Sequence, residues 1–216
     1  MPRIISARLS ETWLKAAVVG SLWASFEIII GSFLHNLRMP FAGTFLAFAS
    51  VGLIIAFVQV WKNKGLILYA GLIAALLKSM SPSAIILGPM IGIFSEALIL
   101  EVFLLLLGRN LLGYLVGGSV AVLSALIHKI VSLLVTYGFD LVIIVDQLYK
   151  YIIKQLGMDY GNAELLIALV MAAYIITGMI GASLGYMAGR KARSLSTEGR
   201  ESIKVKKNRQ FFSESD

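Results

Sequence analysis

The sequence predicts an all-α membrane protein with six transmembrane helices and both termini in the cytoplasm. Composition and pattern carry that reading. Of 216 residues, 58% are hydrophobic and 14% are charged, against about 45–50% and about 25% in soluble domains. Mean hydropathy is +0.86. Apolar runs recur at close to the ~20 residues that a spanning helix needs. These values argue against a soluble enzyme, a nucleic-acid module or a disordered chain, despite the net charge of +7. The absence of Cys removes disulfides and thiolate chemistry.

Span 1 is expected over residues 12–34, interrupted only by Lys15 and Glu27. It is too long for the ~7–15-residue core of a cleavable signal and is read as retained. Span 2 covers 41–61 without a formal charge, after Pro40. Span 3, over 65–80, is short. Span 4 runs from 83 to 107, opened by Ser81-Pro82, and Pro89 inside it should kink or break the helix. Span 5 is expected over 110–137 and span 6 over 163–189, uncharged from Leu165 to Gly189. The domain plan is a cytoplasmic N-terminus (1–11), a membrane domain (12–189) and a basic tail (190–216), which reads as disordered.

Residues 138–161 differ from the spans. Leu141, Ile144, Val145, Leu148, Ile152 and Leu156 recur at helical spacing among Asp140, Asp146, Lys150, Lys154 and Asp159. This is an amphipathic segment on the outer side. It extends span 5, lies on the membrane surface, or serves as a lid over a binding site.

Six spans place both termini on one side. That side holds Arg3, Arg8, Lys15, Lys62, Lys64, Arg109 and the tail's basic residues, 14 of the 19 Lys and Arg. The excess assigns it to the cytoplasm, mainly through the tail and the short inner loops.

A charge in hydrocarbon costs at least about 2.5–3.5 kcal/mol, so each one needs a reason. At ~1.5 Å of rise per residue, Glu27 lies about 18 Å beyond Lys15, Lys78 about 21 Å beyond Lys64, and Glu96 about 20 Å from Arg109. Thr177 reaches the same outer layer from Arg190, and Tyr174 lies one turn further out. His128 and Lys129 sit near the outer interface. The layer reads either as a structural salt bridge of Lys78 with Glu27 or Glu96, or as the lining of an outward-facing ligand site. Glu27 is structural or proton-linked in this reading. Asn36 and Arg38, in the outer loop 33–40, either reach such a ligand from above or belong to a plain connector. Glu101 points about 140° away from Glu96 around the helix and is expected to make an inner-side contact.

Ala16, Gly20 and Ala24 form a small-residue face on span 1, and Gly181, Gly185 and Gly189 form one on span 6. Such faces let helices approach closely, within the chain or with a partner. No Walker or His-Glu-x-x-His motif occurs, and the one Gly-x-Ser-x-Gly string, Gly181 to Gly185, lies inside the apolar run of span 6 and not at a strand-to-helix elbow. No enzymatic activity, cofactor or metal is expected.

Size, span count, the short span 3, the span 1 stripe and the polar outer half together make residues 11–190 resemble the substrate-binding S component of energy-coupling-factor (ECF) transporters. The resemblance implies a subunit of a prokaryotic plasma membrane that captures a vitamin or related micronutrient near its outer surface. It implies Asn36, Arg38, Glu96, His128, Tyr174 and Thr177, with Lys78 from the polar layer, as substrate-binding residues. It also implies a coupling subunit docked at Ala16, Gly20 and Ala24, with two ATPases supplying energy. The insert at 138–161 departs from the shortest layouts of that family. The competing expectations are a self-sufficient transporter or channel using Glu27 or Glu96, and a structural membrane protein.

Overall fold

A computed structural model describes residues 2–37, 39, 41–81, 87–138, 140–156 and 163–213. Among them there are helices and no strands: α1 (Pro2–Asn36), α2 (Ala42–Val60), α3 (Leu66–Ser79), α4 (Leu87–Leu106), α5 (Leu111–Tyr137), α6 (Leu141–Leu156) and α7 (Ala163–Ser213). Stretches within α1, α2, α4, α5 and α7 are long and apolar enough to cross a membrane, and α3 is a shorter apolar helix. Large apolar side chains turn outward from the bundle, such as Leu14, Leu112 and Leu165. That is the surface of a protein whose solvent is lipid.

The six apolar helices pack in a ring of neighbours, in the order α1, α3, α4, α5, α7, α2 and back to α1, and α2 also touches α5 across the interior. Glycines set the closest approaches. A Cβ on Gly20 would stand 2.6 Å from the Ala70 carbonyl oxygen, and one on Gly178 would stand 2.5 Å from the Ser119 Cα. A Cβ on Gly71 would overlap Ala97, and one on Gly185 would overlap the backbone of Gly52. Ser119 bridges α5 and α7 as well, its hydroxyl donating to the carbonyls of Leu115 (2.8 Å) and Ile175 (3.2 Å).

Both terminal segments leave at one end of the bundle. Lys15 donates to Asn63 Oδ1 (3.2 Å) and Asn63 donates to Thr12 (3.0 Å), which ties α1 to the connection after α2. Gly189 packs on Ala56 and Gln59 at that same level. Aromatic side chains cluster there: Trp13 stacks on Tyr69 with centroids 4.5 Å apart, Phe57 lies against Trp61, and Tyr114 against Tyr186. With Lys15, Lys62, Lys64, Arg109, Arg190 and Lys191 beside them, they define a basic end. Aromatic girdles of this kind sit at membrane–water interfaces.

Helix α3 has 14 residues, about 21 Å at 1.5 Å per residue, against ~30 Å of hydrocarbon. Its first N–H groups therefore need partners within the protein. Glu101 of α4 supplies them: its carboxylate accepts from Gly65 N (2.8 Å) and Ile67 N (3.2 Å). Gly65 adopts a left-handed φ of 78° at this cap. Arg109 lies 3.7 Å from the same carboxylate and donates to the Asn63 carbonyl at 2.8 Å. The inner-side contact expected of Glu101 is thus a helix cap held by a cation.

Helix α6 is amphipathic, as its sequence spacing indicates. Ile144, Leu148 and Ile152 are buried, and it packs on α5 and α7. Asp140 caps it by accepting from Val142 N (3.0 Å) and Ile143 N (3.2 Å).

Pro89, expected to kink or break span 4, is the third residue of α4 as described, which runs from Leu87. The chain beyond Gly189, expected as a basic tail, is described as helix to Ser213. That stretch contains no Pro and is rich in Lys, Arg, Glu and Ser, so a helix already nucleated by the apolar part can propagate.

Gly185→Val should be strongly destabilising, because the new side chain must displace the Gly52 backbone. Gly43→Ala should be neutral or slightly stabilising, because its Cβ would enter open space. Thermal unfolding in detergent, followed by size-exclusion chromatography, checks the pair. Glu101→Ala should cost about 3 kcal/mol or more by orphaning two N–H groups and Arg109. Glu101→Gln should cost less. The same assay ranks the two.

Candidate functional site

The polar residues of the half away from the basic end converge where α1, α2, α3 and α4 meet. Trp23, Gly71 and Ala97 interlock below that point, with Trp23 fully buried. Glu27 lies one turn beyond Trp23 and is buried, and Ser50 of α2 donates to its Oε1 at 3.1 Å. The Trp23 indole N–H is within electrostatic reach of the same carboxylate without closing a hydrogen bond to it.

Lys78 is also buried. Its ammonium donates to the backbone carbonyl of Glu27 at 2.9 Å. Lysine side chains in a helix lean toward its N-terminus, so the Lys78 side chain reaches back down into the layer from a Cα about one residue's rise beyond Glu27. Gly31, the residue after that carbonyl in the helical register, leaves the room: a Cβ there would stand 3.5 Å from Lys78 Nζ. The charges of Lys78 and Glu27 interact, although no Lys78–carboxylate ion pair is formed among the described residues.

Glu96 completes the cluster. It is buried, senses the Glu27 charge, and its Oε2 has no hydrogen-bond partner among the described residues. The helix register explains why Lys78 does not pair with it. Gly71 meets Ala97, so Glu96 stands about 1.5 Å beyond that contact while Lys78 stands about 10 Å beyond it. The salt-bridge expectation therefore resolves into a carbonyl-bound ammonium, a hydroxyl-bound carboxylate and a second carboxylate with an open acceptor.

The other expected site residues do not join this group. Thr177 donates to the Ala173 carbonyl of its own helix at 2.7 Å. Tyr174 is buried in the core with Leu166 and Val170. His128 is half-buried on α5, and Asn36 is exposed at the end of α1. Arg38 lies outside the described residues.

The small-residue stripe of α1 is occupied. Ala16 and Ala24 are buried, and Gly20 lies against Ala70 and Ile73 of α3. It is consumed within the chain instead of presenting a surface to a separate subunit, because short side chains on α1 and Ala70 on α3 allow the two backbones to meet.

Sequence reasoning missed Ser50 and Gly31. Ser50 lies twelve residues before Lys62, about 18 Å in, which is the depth already assigned to Glu27. The same arithmetic applied to hydroxyls would have found it. Gly31 carries only a weak signal, as the glycine four residues after a buried Glu.

These features define an all-helical membrane protein with a buried ionisable cluster. Comparison with known proteins adds no relative: no family model, no curated protein and no solved structure matches the chain.

A double-mutant cycle tests the pairing inside the cluster. Lys78→Met and Glu27→Gln should each lower thermal stability. Their combination should recover at least part of the loss, with a coupling of about 1–3 kcal/mol. Strictly additive losses would mean that the two charges do not depend on one another.

Proposed function

We propose that this protein is the substrate-capture subunit of a membrane importer of the energy-coupling-factor type, taking up a small polar or zwitterionic micronutrient. The observation that carries the reading is the buried trio Glu27, Lys78 and Glu96. It gathers an ammonium and two carboxylates in one half of the bundle without neutralising them as direct ion pairs, and it leaves Glu96 Oε2 open. A ligand bearing both donors and acceptors would complete such a set. Asn36, Arg38, His128 and Thr177 belong to the same half of the chain's plan and would contribute from the rim, and Tyr174 from the buried core.

In this reading α3 is the sixth crossing, the basic end with its aromatic girdle faces the cytoplasm, and the membrane is a prokaryotic plasma membrane. Energy comes from a coupling subunit and two ATPases, since the chain has no nucleotide-binding motif of its own. With the α1 stripe buried against α3, the coupling subunit would meet the opposite face of α1. There Leu14, Val18, Ser21, Leu22 and Ser25 are exposed.

A second reading, an autonomous proton-linked transporter, draws on the same open carboxylate oxygen of Glu96, because membrane-embedded carboxylates carry protons.

Native mass spectrometry of the protein, purified gently from its own host, separates the two. A bound small molecule, or a complex with a membrane partner and two ATPases, is the expected result. Glu96→Gln should then reduce ligand retention about tenfold or more, the loss of one charge-assisted hydrogen bond. A bare chain that alone drives uptake into vesicles, abolished when the proton gradient is collapsed, would overturn the capture reading in favour of the second.

A further inference from the structure

A groove of about 380 Å³ runs between α2 and α7 on the outside of the ring. Phe48, Gly52 and Ala56 form one wall, and Gly181, Gly185 and Ala188 form the other. Glycine contacts hold its floor together: Gly185 sits on the Gly52 backbone, and Gly189 on Ala56. The lining is apolar throughout and opens sideways, toward the hydrocarbon.

The groove descends toward the basic end. On α7 its wall repeats at residues 181, 184, 185 and 188. The next position on that helical face is residue 191, which is Lys191. On α2 the wall ends at Phe57, and the chain then leaves the helix at Trp61 and Lys62. Lys62 and Lys191 are both exposed, and among the described residues neither enters an ion pair. An apolar slot about 10–14 Å long, close to the hydrocarbon depth of one leaflet, thus runs toward two exposed cations at the end that carries the aromatic girdle. The charge and polarity sequence is that of an anionic phospholipid, acyl chain first and phosphate last.

We propose that the α2–α7 groove is a binding site for one anionic phospholipid of the basic-end leaflet, with an acyl chain in the groove and its phosphate between Lys62 and Lys191. The site is separate from the Glu27–Lys78–Glu96 cluster, which reaches α2 only through Ser50, a residue outside the groove lining, so it stands whether or not the capture reading does. A juxtamembrane lysine adds attraction to anionic lipid, and two of them predict a preference of about thirtyfold over a zwitterionic lipid with the same chains.

The test uses the full chain in detergent with two probes, dioleoylphosphatidylglycerol and dioleoylphosphatidylcholine, and native mass spectrometry of lipid retention. The expected result is one phosphatidylglycerol retained per chain, about thirtyfold over phosphatidylcholine. The Lys62→Gln/Lys191→Gln variant, whose changes are on exposed side chains, should erase that preference while keeping helix content and elution volume. Ala49→Leu, which narrows the groove, should reduce retention of both lipids. Equal retention of the two probes by the unaltered chain, or a preference that survives in the double Gln variant, would overturn the proposal. If Ala49→Leu does not fold, the double Gln variant still decides the outcome.

Discussion

In a membrane, helices gain no hydrophobic advantage from touching one another, because lipid tails are as apolar as leucine. What holds this bundle is contact close enough for backbones to attract each other directly. Gly20 on Ala70, Gly71 on Ala97, Gly178 on Ser119 and Gly185 on Gly52 are the points where that happens. These contacts also fix axial register. Glu27 lies seven residues beyond Gly20, and Lys78 lies eight beyond Ala70. The two Cα atoms therefore differ by about one residue's rise, and the backward lean of the lysine brings its ammonium onto the Glu27 carbonyl. A register shift of one turn at either contact would strand that ammonium in hydrocarbon.

The second demand is that every polar group be answered inside the protein. The solutions are asymmetric. At the basic end, Glu101, Arg109, Asn63, Thr12 and Lys15 form a continuous network, and it lets α3 begin below the membrane surface with its N–H groups satisfied. In the opposite half, Glu27 has Ser50 and Lys78 has a carbonyl, but Glu96 keeps an unanswered oxygen. Among the described residues, the basic end keeps unpartnered donors, Arg109 Nη1 and Gln59 Nε2, whereas the unpartnered atom of the opposite cluster is a carboxylate acceptor, Glu96 Oε2.

Much of this was legible in the sequence. The edges of α2, α3 and α5 fall within a few residues of the apolar runs that announce them, because an uninterrupted apolar run can only be a helix in lipid. The burial of Glu27, Lys78 and Glu96 was legible from depth counting. Their pairing was not. Counting from Lys64 and Arg109 treats both anchors as lying at one level, whereas the α3–α4 register is set by Gly71 against Ala97 and leaves Glu96 well below Lys78. The fate of the α1 stripe was equally hidden. Ala16, Gly20 and Ala24 read the same whether the facing helix belongs to this chain or another, and only Ala70 and Ile73, fifty residues on, decide it.

The two small-residue faces thus end in different roles. On α1 the stripe is sealed by α3, and this seal brings Glu27 and Lys78 together. On α7, Gly181, Gly185 and Gly189 also meet α2, against Phe48, Gly52 and Ala56 in turn, and the side chains of Phe48 and Phe57 line the groove beside that seam. A seam that is tight at its floor and open at its rim is a groove, and its opening faces lipid. The same device, glycine against backbone, therefore builds the buried charged cluster on one side of the ring and an apolar slot on the other.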